Sequence, residues 1–574
     1  MFRIPKSSVP NFISHSTLLQ SLRSSRCVPK TLTFTRGQST VIPKSKPKKT
    51  ASLIINTACL ILVGVSAYAY GKRKVTQPAS SLSSTTPLSS LSPPAYCNDD
   101  ELIQAIQEIT SVIGKAKVVN TKVELDFHTR NDFTPHEPLE HERPKFILYP
   151  TSTEEVSEIL KVLYKYNVPV VPFSGGTSLE GHFYSTRQGV ILNTSKMNRI
   201  IEINHDDMDA KVEAGVNWQD LNEVLKPSGL MLGTDCGPNG LISGMINTNA
   251  SGINASRYGA MITNVISVTV VLADGTIVKT KRRPRKSSAG YNLTGLFVGS
   301  EGTLGIVTEA TVKLHPLPKV ERVVVCQFPE MIDSTNTVAQ IFRSGIQPNA
   351  VELMDSDMML CLNYSGFLSR RWLECPTIFF KLGAVSENIV DEYIQQVNRI
   401  AKKNNCLNFI FATTEEEGEE LFSARKNAFY AMIQYGKNEI DEDVRIWVTD
   451  IAVPLSKLPS VLGQVHKLIK SSGFHSVILA HAADGNFHAD LYYKIEDKAK
   501  CEEVVKQMVK LGLDNEGTCT GEHGVGNAKR KFLMEELGED AIDLMRKLKI
   551  SLDPKRILNP DKIFKIDPDD QGEY

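Results

Sequence analysis

Val168-Pro-Val-Val-Pro-Phe-Ser-Gly-Gly-Thr-Ser178 decides the fold. A short strand-like run ends in Pro-Phe and delivers a glycine loop. Exposed backbone N–H groups in such a loop form an anion nest suited to a pyrophosphate. The loop is not Gly-x-Gly-x-x-Gly, and Gly-x-x-x-x-Gly-Lys-Ser is absent from the chain, which disfavours a nicotinamide Rossmann domain or a P-loop. Two further glycine segments follow. Gly233 to Gly259 holds six glycines with Asn247, Asn249, Ser251 and Asn254, and Gly299-Ser-Glu-Gly-Thr-Leu-Gly-Ile-Val307 is the third. Glycine lets a backbone approach a ligand closely. Each segment alone reads as tight turns; three in one region favour a large dinucleotide threaded through it.

Outward from that loop, short apolar runs alternate with helical stretches. Phe146–Pro150, Val190–Asn193, Arg199–Asn204 and Lys211–Ala214 read as strands. Thr153–Tyr166 and Asn217–Leu225 read as helices, and Val265–Leu272 with Thr276–Lys279 as a hairpin about Asp274-Gly275. Residues 319–515 read differently. Helical segments at 332–344, 386–404, 415–434, 456–472 and 496–513 alternate with strands near 322–328, 377–383, 407–413, 444–453 and 476–493, which predicts helices on one face of an antiparallel sheet. Residues 516–565 return to turn-rich sequence with one helix at 533–550. No internal repeat is present.

A second stretch carries chemistry: His481-Ala-Ala-Asp-Gly-Asn-Phe-His488, followed by Gly521-Glu-His-Gly524. Asp484-Gly485 is a two-residue hairpin signal. It predicts Ala483 opposite Asn486, Ala482 opposite Phe487, and His481 opposite His488. Directly opposed residues have Cβ atoms about 4.5–5.5 Å apart. Two imidazoles so placed can share a metal ion, with Glu522 as a carboxylate third ligand. His523 then stands beside the metal as a candidate base. The plain alternative is two packed histidines and a turn-rich Glu-His-Gly. Asn486 is expected on the opposite face, as a turn residue or a contact to the bound dinucleotide, more than as a metal ligand.

The chain has 574 residues and formal net charge zero, with a strong asymmetry. No Asp or Glu precedes Asp99, while residues 1–98 carry 13 Lys and Arg. A basic, Ser-rich, acid-free leader is the pattern of a mitochondrial presequence, expected over residues 1–50. Residues 51–70 are apolar and uncharged, about the length that crosses a bilayer as a helix. Lys44, Lys46, Lys48 and Lys49 flank one end and Lys72, Arg73 and Lys74 the other, so charge alone does not orient the helix. Insertion from the matrix side would leave the remainder in the intermembrane space; a cleaved sorting signal is the alternative. Residues 71–98 read as a flexible linker. Apolar residues interrupt the basic leader, which argues against a nucleic-acid arm, and no nucleic-acid partner is expected. None of the ten cysteines forms a Cys-x-x-Cys pair, so neither a zinc knuckle nor a redox dithiol is indicated.

Pro172-Phe-Ser-Gly-Gly-Thr-Ser178, Ser243-Gly-Met-Ile-Asn-Thr-Asn-Ala-Ser-Gly252, Arg257-Tyr-Gly259 and Gly299–Val307 together resemble the FAD-binding domain of the vanillyl-alcohol oxidase and p-cresol methylhydroxylase superfamily. His481–His488 and Gly521-Glu-His-Gly-Val-Gly526 resemble its D-2-hydroxyacid dehydrogenase branch. The leader and apolar segment are similar to those of fungal mitochondrial members, whose substrate is D-lactate and whose acceptor is cytochrome c. The resemblance implies an α+β architecture. A two-subdomain FAD-binding domain (99–318) would carry a substrate or cap domain with an antiparallel sheet (319–515), and a C-terminal segment (516–574) would return to the FAD domain. It places FAD contacts at Pro172, Ser174, Gly175, Gly176, Thr177 and Ser178, and at Gly237, Pro238, Ser243, Gly244, Asn247, Thr248 and Gly252. Gly302, Gly305, Ile306, Val307 and Asn559 complete the set. Some members attach flavin through a histidine in the Ser-Gly-Gly loop; here Thr177 stands at that position, so non-covalent FAD is expected, with His182 the residual candidate for a link.

The same resemblance implies oxidation of a D-2-hydroxy acid to a 2-oxo acid. His481, His488 and Glu522 would hold zinc or manganese, His523 would accept the hydroxyl proton, and the α-hydrogen would leave as hydride to the flavin. Arg425 matches the branch's substrate clamp, and its planar fork suits a carboxylate; on its own it reads equally as a solvated helix arginine. In the part of the branch that oxidises D-2-hydroxyglutarate, a lysine precedes the cap strand's aspartate by two and binds the distal carboxylate. Val448 stands there in Trp447-Val-Thr-Asp450, which favours a short monocarboxylate such as D-lactate. The alternatives are a D-2-hydroxyglutarate or glycolate dehydrogenase of the same fold, an alkyl-glycerone-phosphate synthase type enzyme, and a catalytically inactive membrane partner. For cytochrome c, a basic protein, Glu415–Glu420 and Asp441–Asp443 are candidate acidic patches.

Overall fold

Three sheets organise the chain, and the first is built around the Val-Val-Pro-Phe run. The computed structural model describes residues 83–129, 134, 138–139 and 142–572. The leader and the apolar segment 51–70 lie outside them. Among the described residues no helix is long and apolar enough to cross a membrane.

The first sheet joins β1 (Val118–Val119), β2 (Phe146–Leu148), β3 (Val170–Phe173) and β4 (Val190–Asn193) in the order β1-β2-β4-β3. β2, β4 and β3 run parallel, with β1 antiparallel at one edge. Helices Asp99–Ile113 and Thr153–Tyr166 bury Leu102, Ile109, Val156 and Leu160 against Val170 and Leu192. Asn98 and Glu101 form a capping box on the first helix, and Ser152 caps the second. Val170, Val190 and Leu192 are buried on one face and Val171 and Ile191 on the other. That burial on both faces is what a parallel sheet requires.

The second sheet is antiparallel, with β5 (Ile200–Asn204), β6 (Asp209–Glu213), β8 (Val265–Val271), β9 (Ile277–Lys279) and β10 (Ile306–Pro316) in the order β5-β6-β10-β8-β9; β7 (Leu230–Leu232) also pairs with β10. Every residue of β8 is buried.

The third sheet joins β11 (Val320–Gln327), β12 (Ala350–Met354), β13 (Thr377–Ala384), β14 (Asn408–Phe411), β15 (Arg445–Trp447), β16 (Ile451–Ala452), β17 (Ser476–His481) and β18 (Asn486–Tyr493). Its order is β14-β11-β13-β12-β17-β18-β15, with β16 also on β18, all antiparallel. Helices cover both faces, not one as expected. Leu353, Phe380, Ile478 and Phe487 pack under helices Met331–Arg343, Glu387–Lys403, Leu458–Ser472 and Lys498–Leu513. Met354, Phe379, Val477 and Leu479 pack under helices Ser356–Ser365 and Glu415–Tyr435. β12 and helix Ser356–Ser365 have no counterpart in the expected elements. The expected strand 444–453 divides around Val448-Thr449-Asp450, where side chains replace backbone in bonding β18: the Thr449 hydroxyl bonds Ala489 O and N–H, and the Asp450 carboxylate accepts the Asn486 amide.

The chain then returns to the first sheet. Val170 N–H donates to Ile557 O and Asn559 N–H to Val170 O, so the C-terminal segment lies along β3. The expected helix 533–550 is two helices, Arg530–Leu537 and Glu539–Leu552, broken at Gly538 with φ +77°. The expected flexible linker is docked in its described part. Thr86 N–H donates to Asp543 O, Arg556 donates to Ser92 O, and the Tyr96 hydroxyl donates to Arg556 O.

Candidate active site

The three glycine segments meet at the C-terminal end of β3. Ser174 Oγ lies 3.1 Å from Ser243 Oγ, and a Cβ at Gly175 would stand 2.5 Å from Asn239 O. Gly302, at φ +70°, leaves room for Pro172; a Cβ there would fall 2.3 Å from the proline ring. Asn247 Oδ1 accepts Gly302 N–H at 3.0 Å, and Asn247 O accepts Glu301 N–H. The Asn559 amide donates to Glu301 O at 2.7 Å, while its own Oδ1 is buried without a partner. The backbone N–H groups of Gly175, Gly176 and Thr177 have no partner among the described residues. A close-fitted glycine cradle with unpaired amides and an orphaned amide oxygen fits a pyrophosphate-bearing dinucleotide.

Not every expected contact sits alike in that cradle. Thr248 Oγ donates to Gly244 O, Gly252 packs on the backbone of Asp235, and Gly237 and Pro238 are exposed. Gly305 packs against Val270, and the Ile306 and Val307 side chains are buried in the cores on either side of β10. Their reach toward a ligand is through backbone alone. His182 is buried, its Nδ1 against Ser178 Oγ and its Nε2 3.1 Å from Glu301 without a hydrogen bond among the described residues.

The β17–β18 ladder differs in register from the expected one. His481 is opposite Asn486, Ala480 opposite Phe487, and Leu479 opposite His488. The loop therefore takes four residues, Ala482–Gly485. Gly485 carries φ +75°, and a Cβ there would meet Val453 O at 2.0 Å, so the turn is pinned to the strand beside it. The two histidines are diagonal neighbours on one face, with ring centroids 5.6 Å apart. Asn486 shares that face by alternation, contrary to expectation, and its amide donates to Asp450 Oδ1 at 2.7 Å.

Glu522 completes a triad. Its Oε1 lies 3.0 Å from His481 Nε2 and 3.2 Å from His488 Nε2. His488 Nδ1–H donates to Thr449 O at 2.8 Å, so its free nitrogen is Nε2. Ligand bonds of about 2.0–2.2 Å to one ion suit such spacings. Asp450, His488 and His523 form a second cluster of ligand type. Asp450 is already saturated: Oδ2 accepts Glu522 N–H, His523 N–H and the Thr520 hydroxyl, and Oδ1 accepts Asn486. The first triad therefore fits a divalent metal better, and both clusters would draw on the same His488 nitrogen. Burial opposes ionisation of Glu522, but the two imidazoles outweigh it and hold the carboxyl well below its usual range. Burial likewise opposes a charged His481, and Glu352 and Glu522 outweigh it and raise it well above its usual range.

His523 stacks on His488, with rings 5.0 Å apart and 15° from parallel. Its Nδ1 faces Glu180 at 3.5 Å and Asp450 at 4.0 Å. Lys529, buried, joins those carboxylates at 2.9 and 3.5 Å. Arg425, on helix Glu415–Tyr435, donates Nε–H to Glu352 at 2.7 Å. Glu301 ties this region to the glycine cradle by accepting Val525 N–H and Gly526 N–H. Glu180, Glu301, Glu352, Asp450 and Lys529 escape a reading of the sequence, since each meets its charged or ligand-bearing partners only 70 or more residues away along the chain.

Fold and site together define an FAD-linked oxidoreductase. Residues 144–281 match the family described as FAD binding domain, and residues 317–563 match FAD linked oxidases, C-terminal domain. Over 526 residues the chain is 48% identical to the mitochondrial D-lactate dehydrogenase (cytochrome) of Kluyveromyces lactis, covering 91% of each chain. It is 49% identical over 497 residues to the mitochondrial D-lactate dehydrogenase (cytochrome) 1 of Saccharomyces cerevisiae, covering 85% of this chain and 84% of that one. The fold matches that of p-cresol methylhydroxylase with substrate bound at TM-score 0.66 and 17% identity, over 83% of this chain and 99% of the other. The chain belongs to the D-lactate dehydrogenase (cytochrome) family of FAD-linked oxidases, within the vanillyl-alcohol oxidase and p-cresol methylhydroxylase superfamily.

Proposed function

We propose that the protein oxidises D-lactate to pyruvate and passes the electrons through FAD to cytochrome c. The observation that carries this reading is the meeting of His481, His488, Glu522 and His523 in one site, in a chain whose fungal relatives are named for that reaction. Arg425 binds the substrate carboxylate. His523 accepts the hydroxyl proton as general base, held in place by its stacking on His488 and by the carboxylates of Glu180 and Asp450. Bound FAD supplies the hydride acceptor. A divalent cation on His481, His488 and Glu522 supplies Lewis acidity at the substrate hydroxyl. Val448 leaves no cation for a second substrate carboxylate and keeps the substrate short. Anaerobic mixing of the holoenzyme with D-lactate should bleach the flavin band. Chelation should abolish the bleaching, and zinc or manganese should restore it. Bleaching by D-2-hydroxyglutarate in place of D-lactate would overturn the substrate, and bleaching untouched by chelation would overturn the metal.

FAD is held non-covalently in this reading. Thr177 replaces the attachment histidine, and His182 is buried between Ser178 and Glu301. Acid precipitation should release all flavin to the supernatant; flavin in the pellet would refute it. The acid-free leader and the apolar segment 51–70 support a mitochondrial protein anchored in the inner membrane, its catalytic part in the intermembrane space. That part should become protease-accessible when the outer membrane alone is opened.

A further inference from the structure

Glu352 lies at the centre of β12, directly opposite His481 in the ladder, with 0% of its surface exposed. Its two oxygens are divided between two partners. Oε1 accepts His481 Nδ1–H at 2.8 Å and Oε2 accepts Arg425 Nε–H at 2.7 Å. We propose that Glu352 is a positioning residue that couples the metal ligand His481 to the substrate clamp Arg425, so that one buried carboxylate sets both the metal and the substrate ends of the site. The proposal rests on the reading of the site as a metal-dependent 2-hydroxy acid oxidase.

The chemistry follows from which atoms are taken and which are left. With Nδ1–H committed to Glu352, the His481 lone pair resides on Nε2, the atom facing Glu522 and His488. A carboxylate behind a ligating imidazole fixes its tautomer and ring plane and raises its basicity, and loss of such a partner commonly weakens metal binding about 10–100-fold. On the other side Glu352 takes only Nε of the guanidinium. Both terminal amino groups of Arg425 are left without a protein partner among the described residues, which is the fork that a carboxylate accepts two-point. An ion pair serving only the core would bury both members. Here the Glu352 side chain is 1% exposed and that of Arg425 17%, so the outer end of the guanidinium is open.

The experiment measures zinc affinity of the FAD-loaded enzyme by competition with a chromogenic chelator, beside KM and kcat for D-lactate. Glu352→Gln should weaken zinc 10–100-fold and raise KM tenfold or more, with the flavin spectrum and melting temperature marking a folded protein. Arg425→Met should raise KM by a similar factor while leaving zinc affinity within about 3-fold, since His481 keeps its partner. Adding Glu352→Gln to Arg425→Met should weaken zinc again and leave KM where the single clamp variant put it. If Glu352→Gln holds zinc as tightly as the parent, or raises KM further in the Arg425→Met background, the coupling is refuted. If Glu352→Gln fails to fold, the Arg425→Met enzyme decides alone: a tenfold loss of zinc affinity there assigns the support of His481 to the arginine and overturns the proposal. A parent enzyme that binds no divalent metal would instead refute the site reading on which the proposal stands, and the proposal with it.

Discussion

Val448 is half-buried in a wall shared with Glu180, Thr449, Asp450 and Lys529. The two carboxylates in that wall neutralise Lys529 and Glu502 neutralises Lys531, so it offers no spare positive charge to a dicarboxylic substrate. Val448→Lys should therefore raise kcat/KM for D-2-hydroxyglutarate relative to D-lactate. A charge-assisted bond worth about 1.5–3 kcal/mol corresponds to roughly 10–100-fold. Steady-state kinetics with both substrates checks it, and an unchanged ratio would remove position 448 from substrate selection. Residues of this kind were legible because their types are rare together: two histidines seven apart and a Glu-His in a glycine turn. Glu352 and Asp450 were not legible, because an acid in an apolar strand has no local pattern. Glu352 meets His481 only after 129 residues of chain have folded back.

Helix Thr153–Tyr166 appears within the limits its sequence predicts, since Ser152, the acids of the first turn and the apolar stripe agree. β12 failed to show because it is five residues long, fully buried and interrupted by Glu352, so neither alternation nor length marked it. The hairpin about Asp484-Gly485 was recognised, but its register was not. A Gly at positive φ is compatible with a two- or a four-residue loop, and the choice is made by Val453 packed against Gly485. The glycine cradle gives the sharpest test at this scale. Gly302 combines φ +70° with a Cβ position 2.3 Å from the Pro172 ring. Gly302→Ala must strain the backbone or push β3 away from the third glycine segment, at a cost of about 1–3 kcal/mol. The variant should purify with a lower FAD-to-protein ratio and a lower melting temperature. Full flavin occupancy would show that the cradle is not the cofactor's seat.

On the whole molecule, zero net charge conceals an uneven distribution along the chain, with no Asp or Glu before Asp99, and the acidic run at Glu415–Glu420 has two competing explanations. Glu415, Glu416 and Glu417 occupy the first turn of helix Glu415–Tyr435, where carboxylates stabilise the helix dipole, and Glu420 accepts the Ser369 hydroxyl. Asp441 is paired with Lys494, which weakens its patch as a docking site. The exposed charges of Glu415, Glu416 and Glu419 remain available to a basic partner. If cytochrome c docks there, its reduction should slow steeply between low and 0.2 M salt, as screening shortens to about 7 Å. Flavin reduction by D-lactate should stay constant over the same range. Replacing Glu415, Glu416 and Glu419 together by Gln should flatten the salt dependence and leave flavin reduction unchanged, at a stability cost of about 0.3–1 kcal/mol per carboxylate lost from the helix start. If the melting temperature falls and the salt dependence persists, the run serves the helix alone. In that case cytochrome c meets another face, and the acids at this helix start explain the fold without explaining the acceptor.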